Sequence, residues 1–257
     1  MNRKARRFSN TVTMTKRCLM ISGRNPDTFF SSIMLPVLMM LLFVALFGKL
    51  VHVENISYVN YIVPGVILQC IGQCSSSTAI MMNRDMANGM AARFCTLPVG
   101  RAVILNGHVL EGLVRCFVTS AIVIFTAALT GFRPSAGPAG WGLVLLLLLG
   151  SILAMSCLAV AVGITASSAE GASALFSLAI VLPYLSSGFV PVDSLPGIMK
   201  GFAQYQPMTP VIDAMRNALL GRPFHSGTFS AAIFWCALLA VIFYALSVFS
   251  LYRRTQK

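Results

Sequence analysis

Residues 82–115 read MNRDMANGMAARFCTLPVGRAVILNGHVLEGLVR and form the longest polar interval between two long apolar stretches. The interval contains four arginines with one aspartate and one glutamate, namely Arg84, Asp85, Arg93, Arg101, Glu111 and Arg115. Charged side chains are costly inside a bilayer, so this segment is predicted to lie in water on one side of a membrane. This segment is the best candidate for the part of the chain that receives energy or a signal. The apolar remainder would then be the membrane domain whose conformation the segment changes.

The overall composition is typical of a membrane protein. Hydrophobic residues make up 57% of the 257 residues, charged residues only 10%, and the mean hydropathy is +0.81, outside the range of soluble globular proteins. A net charge of +12 would suggest nucleic acid in a soluble protein, but here the basic residues flank apolar stretches. That arrangement indicates a membrane surface rather than nucleic acid. We expect one membrane domain without a separate soluble domain.

Residues that could carry out chemistry are scattered along the chain. The seven cysteines are odd in number and lack C-x-x-C spacing, which argues against disulfides and a zinc site. The three histidines lie in separate loops or helix ends, which argues against a metal or nucleophilic centre. They are His52, His108 and His225. The chain has no G-x-x-x-x-G-K-S/T motif, so ATP phosphates are not expected to bind by that route.

Six intervals without Asp, Glu, Lys or Arg are long enough for a membrane-spanning helix. A helix needs about 20 apolar residues to cross the hydrocarbon core, so each interval holds one helix. The intervals are continuous rather than alternating, which favours helices over a β-barrel. The predicted fold is therefore all-α, with six transmembrane helices in residues 28–48, 55–83, 116–132, 134–169, 171–192 and 223–252.

The distribution of basic residues predicts the orientation. With a cytoplasmic N-terminus, 14 lysines and arginines fall on the inner side and 5 on the outer side, which accounts for all 19. The positive-inside rule therefore places both termini in the cytoplasm.

Residues 1–24 are predicted to be an interfacial segment and not a signal peptide, because no apolar core or small-residue cleavage site follows the basic start. Phe8, Val12, Thr15 and Leu19 share one helical face, which is typical of a helix lying on the inner membrane surface. For residues 1–7 a disordered basic tail is the alternative.

The second predicted span is unusually polar in its inner half. Together with two residues near the end of the fifth span, its polar side chains are candidates for a substrate path or a seam between subunits: Gln69, Gln73, Ser76, Ser77, Tyr184 and Ser187. The alternative is ordinary hydrogen bonding between packed helices.

No charged residue is expected deep in any span, so a proton-coupled carrier would lack its usual relay groups. The chain also lacks the internal repeat that secondary transporters often have. An intramembrane enzyme or a carrier working alone would need buried ionisable groups. A scaffold or sensor that does not transport is a third possibility.

Prolines and glycines divide residues 188–223 into short helices, predicted at 195–203 and 209–220. Neither is long enough to span a bilayer. Asp213 and Arg216 lie three residues apart on the second helix and are predicted to pair.

Two motifs of this chain are similar to those of a known family. The first is the run of Arg84-Asp85, Gly89, Arg93, Leu97-Pro98-Val99, Arg101, Leu105 and Gly107. The second combines F-V-P with Q-P-M-T-P-V and the later A-x-R-x-x-L-x-G within residues 188–223. Both resemble ABC-2 type permeases, and more narrowly their daunorubicin-resistance branch. Asp85 and the Gly89-Met90 pair replace the Glu and the Gly-Thr pair of the commonest form.

The resemblance implies that residues 83–101 hold a short coupling helix that docks on a separate ATPase. The implied coupling residues are Arg84, Asp85, Gly89, Arg93, Leu97, Pro98 and Arg101. The short loop 165–171, with Glu170 as its one charge, is either a second, smaller cytoplasmic contact or an ordinary turn. The outer signature, implied to form re-entrant helices between spans five and six, consists of Pro207, Thr209, Pro210, Asp213, Arg216 and Gly221.

The resemblance also implies the wider assembly. Residues 25–254 would form an ABC-2 (type V) exporter transmembrane domain in a bacterial inner membrane, in contact with lipid and not with nucleic acid. Two permease subunits, identical or different, would pair with two copies of the ATPase. ATP and Mg would bind to that ATPase, with no cofactor and no enzymatic activity in this chain. The charge-poor bundle predicts an apolar or amphipathic cargo such as a drug, an antibiotic or a lipid.

Overall fold

A computed structural model describes residues 3–48, 56–90, 100, 102–223 and 226–255 of the protein. Within these residues the chain forms nine α-helices. The all-α prediction is confirmed for these residues. In chain order the helices are α1 Arg3–Gly23, α2 Pro26–Phe47, α3 Tyr58–Ala87, α4 Ala102–Leu129, α5 Pro138–Thr165, α6 Ala169–Val181, α7 Gly197–Tyr205, α8 Met208–Leu219 and α9 Ser226–Thr255.

Four helical segments are long and apolar enough to cross a membrane: Phe29–Phe47, Ala102–Leu129, Pro138–Thr165 and Ser226–Arg254. With 30 residues, α3 has the length for a span, but its C-terminal half is polar. The 13 residues of α6 are too few alone and continue into a 3-10 turn, Leu182–Leu185. Four of the six predicted spans are thus supported by length and composition, and the other two remain a prediction.

The third predicted span starts earlier than the sequence suggested. Residues 103–115 belong to the interval predicted to lie in water, yet they are continuous with the span in α4. Glu111 is fully buried and Arg115 is 7% exposed, although the sequence predicted both to lie in water. An ion pair one helical turn apart can be accommodated on a helix that is packed against others, so charge alone does not mark the limit of the packed part of a helix.

Helix α1 begins at Arg3, which disfavours a disordered tail from that residue onward, while its position on the membrane surface stays a prediction. The face that packs against the protein is not the one predicted to contact the membrane. Met14 and Cys18 are buried, whereas Val12 is 49% exposed. A Cβ atom at Gly107 of α4 would lie 2.4 Å from Met14 Cγ, so the glycine lets the two helices approach closely. The Val12 face therefore stays available to membrane or partner.

Helix α3 forms the centre of the bundle and packs against α2, α4, α5, α6 and α8. It is buried along most of its length. Ile62, Ile67 and Ile71 are fully buried, and Gly65 lies directly on Gly188. In lipid the stabilisation comes from close packing rather than exclusion of water, which explains the small residues at these contacts.

The outward faces of α2 and α9 are apolar. Leu38 is 54% exposed, Phe234 59% and Val241 68%. Faces of this composition are expected to contact lipid or another membrane helix.

The two short helices of residues 188–223 are confirmed as α7 and α8, shifted by one or two residues. Helix α8 ends where Gly221 adopts φ +61°, a conformation that glycine enters without steric cost. At 9 and 12 residues, neither helix can span a bilayer.

Candidate functional site

The C-terminal end of α3 carries a buried carboxylate that is held from two sides. Asp85 accepts two hydrogen bonds from the guanidinium of Arg17 of α1, which makes a bidentate ion pair with nitrogen–oxygen distances of 2.7 and 3.0 Å. His108 Nε2 of α4 lies 3.2 Å from Asp85 Oδ2. The hydrogen bonds from Arg17 to Asp85 raise the pKa of the guanidinium above its ordinary value. One carboxylate thus ties three helices together.

A second charged pair lies farther along α4. Ser22 Oγ of α1 donates to Glu111 Oε1 at 2.5 Å, and Thr78 Oγ1 of α3 lies 3.4 Å from Glu111 Oε2. Arg115 Nη2 donates to Cys74 O at 3.0 Å and to Thr78 Oγ1 at 2.7 Å. Arg115 Nε lies 3.0 Å from Glu111 Oε1 but makes no hydrogen bond, so that contact is electrostatic. This pair joins the same three helices.

We name the two pairs together the inner polar network. Each buried charge faces an opposite one, which is what a low-dielectric environment requires. Removing one partner would leave the other uncompensated, so α1, α3 and α4 are expected to move as a unit.

The structure describes only part of the predicted coupling segment. Arg84 is exposed on the last turn of α3, and Gly89 follows the helix with φ +67°. Unlike Arg84, Asp85 points inward and is 7% exposed. The remaining coupling residues lie outside the described residues: Arg93, Leu97, Pro98 and Arg101.

Glu170 is exposed in the first turn of α6, where Ser168 Oγ caps the helix by accepting from Gly171 N at 3.0 Å. Arg84 exerts a Coulombic attraction on it. Arg84 and Glu170 are therefore both exposed and lie within electrostatic range of each other.

The candidate path residues fall into different environments. Gln69 is fully buried, and its Nε2 donates to the hydroxyl of Tyr184, while Gln69 Oε1 has no partner. Ser76 is buried as well, whereas Gln73 and Ser77, one helical turn apart, are partly exposed. Burial of Gln69 and Ser76 matches packing between helices, and the exposure of Gln73 and Ser77 matches a path or seam.

The outer signature residues hold the short helices in place. Arg216 is 6% exposed, donates to Asp213 at 2.6 Å and to Tyr61 O at 3.1 Å, and stacks 3.9 Å from the Tyr61 ring centroid. The predicted Asp213–Arg216 pair is confirmed. Arg216 also donates to the carbonyl of Ser187, whose hydroxyl donates to Asp213 at 2.7 Å.

Three further signature residues shape α8 itself. Pro207 is its N-cap residue, Pro210 lies in its first turn, and Thr209 Oγ1 donates to Ala203 O at 2.5 Å. The signature thus closes the end of the bundle at which α3 begins.

Sequence reasoning missed the inner polar network because its partners lie far apart in the chain. The available signal was the i, i+4 spacing of Glu111 and Arg115 next to Gly107 and Gly112. Small residues there indicate close helix contacts, and charges beside such contacts must be paired. Among the described residues, no cluster of three His, Cys, Asp or Glu side chains could hold a metal ion.

Residues 9–220 match the ABC-2 type transporter family. This chain belongs to that family. This ABC-2 permease is 28% identical over 220 residues to the daunorubicin resistance ABC transporter permease protein DrrB1 of Streptomyces coeruleorubidus, covering 85% of this chain and 77% of that protein. It is 30% identical over 239 residues to the probable doxorubicin resistance ABC transporter permease protein DrrC of Mycobacterium tuberculosis, covering 91% and 85%.

These findings confirm the resemblance and the location expected from it. The ABC-2 permease is a multi-pass protein of the bacterial plasma membrane and a transporter membrane subunit.

Proposed function

We propose that this ABC-2 permease forms the translocation path of an exporter for an apolar or amphipathic compound, driven by a separate ATPase. The observation that carries the proposal is the match over residues 9–220, together with relatives named for resistance to daunorubicin and doxorubicin. Two permease subunits, identical or different, would pair with two ATPase subunits that bind ATP and Mg.

The proposed topology has six spans and two cytoplasmic termini. It adds α3 and α6, the latter with its 3-10 extension, to the four apolar helices. The length of α3 supports this, since 30 residues extend over about 45 Å at about 1.5 Å per residue. Helices α7 and α8 would then lie re-entrant on the outer side, closed by the Arg216 contacts.

The ATPase would dock on residues 83–101 and on the surface shared by Arg84 and Glu170. Asp85 lies beside Arg84 but faces the opposite way, so it would transmit rather than receive the contact. A displacement of the α3 end would carry α1 and α4 with it, because Arg17 and His108 hold the same carboxylate.

The proposed cargo class follows from the residues that would line the path. Gln73 and Ser77 would line the path or the seam between two permeases, beside the apolar outer faces of neighbouring helices. A surface of this kind suits amphipathic molecules better than ions.

Co-reconstitution with the cognate ATPase tests the proposal. Liposomes containing both subunits should transport a fluorescent anthracycline only when ATP is added, and each subunit alone should give no transport. Transport by the permease alone without nucleotide would overturn the proposal.

One observation favours a second candidate, a carrier coupled to protons. Such a carrier needs buried ionisable groups, and the inner polar network supplies them: Asp85, His108, Glu111 and Arg115. A pH gradient imposed on liposomes containing the permease alone distinguishes the two functions. Cargo movement driven by that gradient would favour the carrier, whereas ATP dependence would exclude it.

A further inference from the structure

A polar cavity opens between α1 and α3 at the inner end of the bundle. Its volume is about 300 Å³. Three arginines and one aspartate line it, together with Ser22 and Asn25: Arg17, Arg84, Arg115 and Asp85. The formal charges of the lining side chains sum to +2. The sum is still +1 when Glu111, which faces Arg115, is included. The cavity therefore favours an anion.

An apolar cavity adjoins the polar one between α1, α2 and α4. Its volume is about 360 Å³, and its lining is mainly aliphatic and aromatic: Leu19, Gly23, Pro26, Phe29, Val114 and Val118. Val114 and Val118 are 42% and 43% exposed, so this cavity opens sideways toward the region of the hydrocarbon. An acyl chain could enter it directly from the bilayer.

The two cavities share two residues, Ser22 and Arg115. Arg115 is 7% exposed, and only its Nη2 atom makes hydrogen bonds among the described residues. Its Nε atom has no hydrogen-bond partner and Nη1 has none within the described chain. A buried guanidinium with unused donors is suited to bind the oxygens of a phosphate.

We propose that the joined cavities bind one anionic glycerophospholipid of the inner leaflet. Its phosphate lies between Arg84 and Arg115, and one acyl chain lies along Val114 and Val118. Charge complementarity identifies the headgroup as anionic, and the sideways opening identifies the membrane as its source. The site depends on the proposed orientation of the permease, because only that orientation places α1 at the inner leaflet.

Native mass spectrometry of the purified full-length chain tests the site. The protein is titrated with phosphatidylglycerol or phosphatidylcholine carrying identical acyl chains, without nucleotide or ATPase. Wild type should retain phosphatidylglycerol preferentially. Arg84→Gln, at an exposed position, should reduce that preference about fivefold, the effect of one arginine near an anionic surface. Arg253→Gln removes an inner-side charge away from the cavities and should leave the preference unchanged.

A second pair of variants tests the apolar half. Val118→Trp should fill the apolar cavity and weaken phosphatidylglycerol binding, whereas Leu145→Trp, at a similarly exposed position on α5, should not. Inorganic phosphate should not displace the bound lipid at millimolar concentration, because it lacks the acyl chain.

Equal retention of the two lipids by wild type would overturn the proposal. So would displacement by phosphate combined with normal binding by Val118→Trp, because the site would then recognise a free anion. Because this assay contains no ATPase, its failure leaves the proposed export function untouched. Conversely, a permease that binds the lipid and fails in the co-reconstituted export assay would refute only the export function.

Discussion

Arg17 and Asp85 form a two-pronged ion pair across 68 positions of the chain, with the shorter nitrogen–oxygen distance at 2.7 Å. The pair joins the N-terminal helix to the end of α3, next to the segment proposed to contact the ATPase. The side chain of Asp85 is 10% exposed and that of Arg17 is 26% exposed, so the pair is largely shielded from salt. Charge pairs of this kind hold helices in register more firmly than surface pairs do.

Asp85→Asn should destabilise the permease, because Arg17 and His108 would lose the carboxylate that both face. We expect a loss of about 2–3 kcal/mol, below the range for a fully buried pair because Arg17 is partly exposed. Thermal unfolding in detergent measures the effect. Asp27→Asn, at an exposed position of α2, should cost less than about 1 kcal/mol. Equal losses for the two variants would contradict the role assigned to Asp85.

Gly65→Ala should disturb the contact between α3 and the turn before α7. A Cβ atom at residue 65 would lie 2.7 Å from the carbonyl oxygen of Gly188 and 2.8 Å from its Cα. Both are backbone atoms, which cannot move aside without displacing the chain. We expect a loss of about 1–3 kcal/mol in unfolding free energy. Gly142→Ala is the control, because a Cβ there meets nothing within 4 Å and alanine favours the helix. A neutral effect of Gly65→Ala would show that the outer turn is not packed on α3.

Arg216→Lys tests whether the outer end needs the geometry of a guanidinium or only its charge. A lysine keeps the charge but cannot reach Asp213, the Tyr61 carbonyl and the Ser187 carbonyl together. We expect a loss of about 1–3 kcal/mol, the cost of buried acceptors left unpaired. Arg253→Lys, exposed near the C-terminus, should change stability by less than about 0.5 kcal/mol. Protection from proteolysis within 186–223 is a second measurement, and it should fall only in Arg216→Lys.

Arg84→Glu should weaken binding of the ATPase without unfolding the permease. The side chain is exposed, so stability should stay the same, while the new carboxylate would repel Glu170 and reverse the charge of the proposed docking surface. We expect association to weaken about tenfold, or about 1.4 kcal/mol. Co-purification with the ATPase at several salt concentrations measures it. Arg253→Glu makes the same charge change elsewhere on the inner side, and an equal effect there would show that the interaction is nonspecific.

Much of the architecture could be predicted from the sequence because it depends on local properties. Apolar stretches of the right length located most of the helices, and Pro210 in the first turn with Gly221 after the last predicted the limits of α8 to within about one residue. The i, i+3 spacing of Asp213 and Arg216 was enough to predict their pairing, since a helix brings such residues together.

The inner polar network could not be predicted by the same reasoning. Counting intervals between charges placed Glu111 and Arg115 at a membrane surface, because an isolated charge would be unstable in a span. Whether a charge can be buried depends on its partners, and here those are Ser22 and Thr78 on other helices.

The sequence by itself determined that this chain is a helical membrane protein, where most of its helices lie and which family it belongs to. These properties follow from composition, hydrophobic length and motif spacing, which neighbouring residues specify. Only the tertiary structure decided that Asp85 turns inward to Arg17 while Arg84 next to it faces outward, and that Ser22 and Arg115 line both a polar cavity and an apolar one. The relative rotation of packed helices controls such relationships, and no local pattern in the chain encodes that rotation.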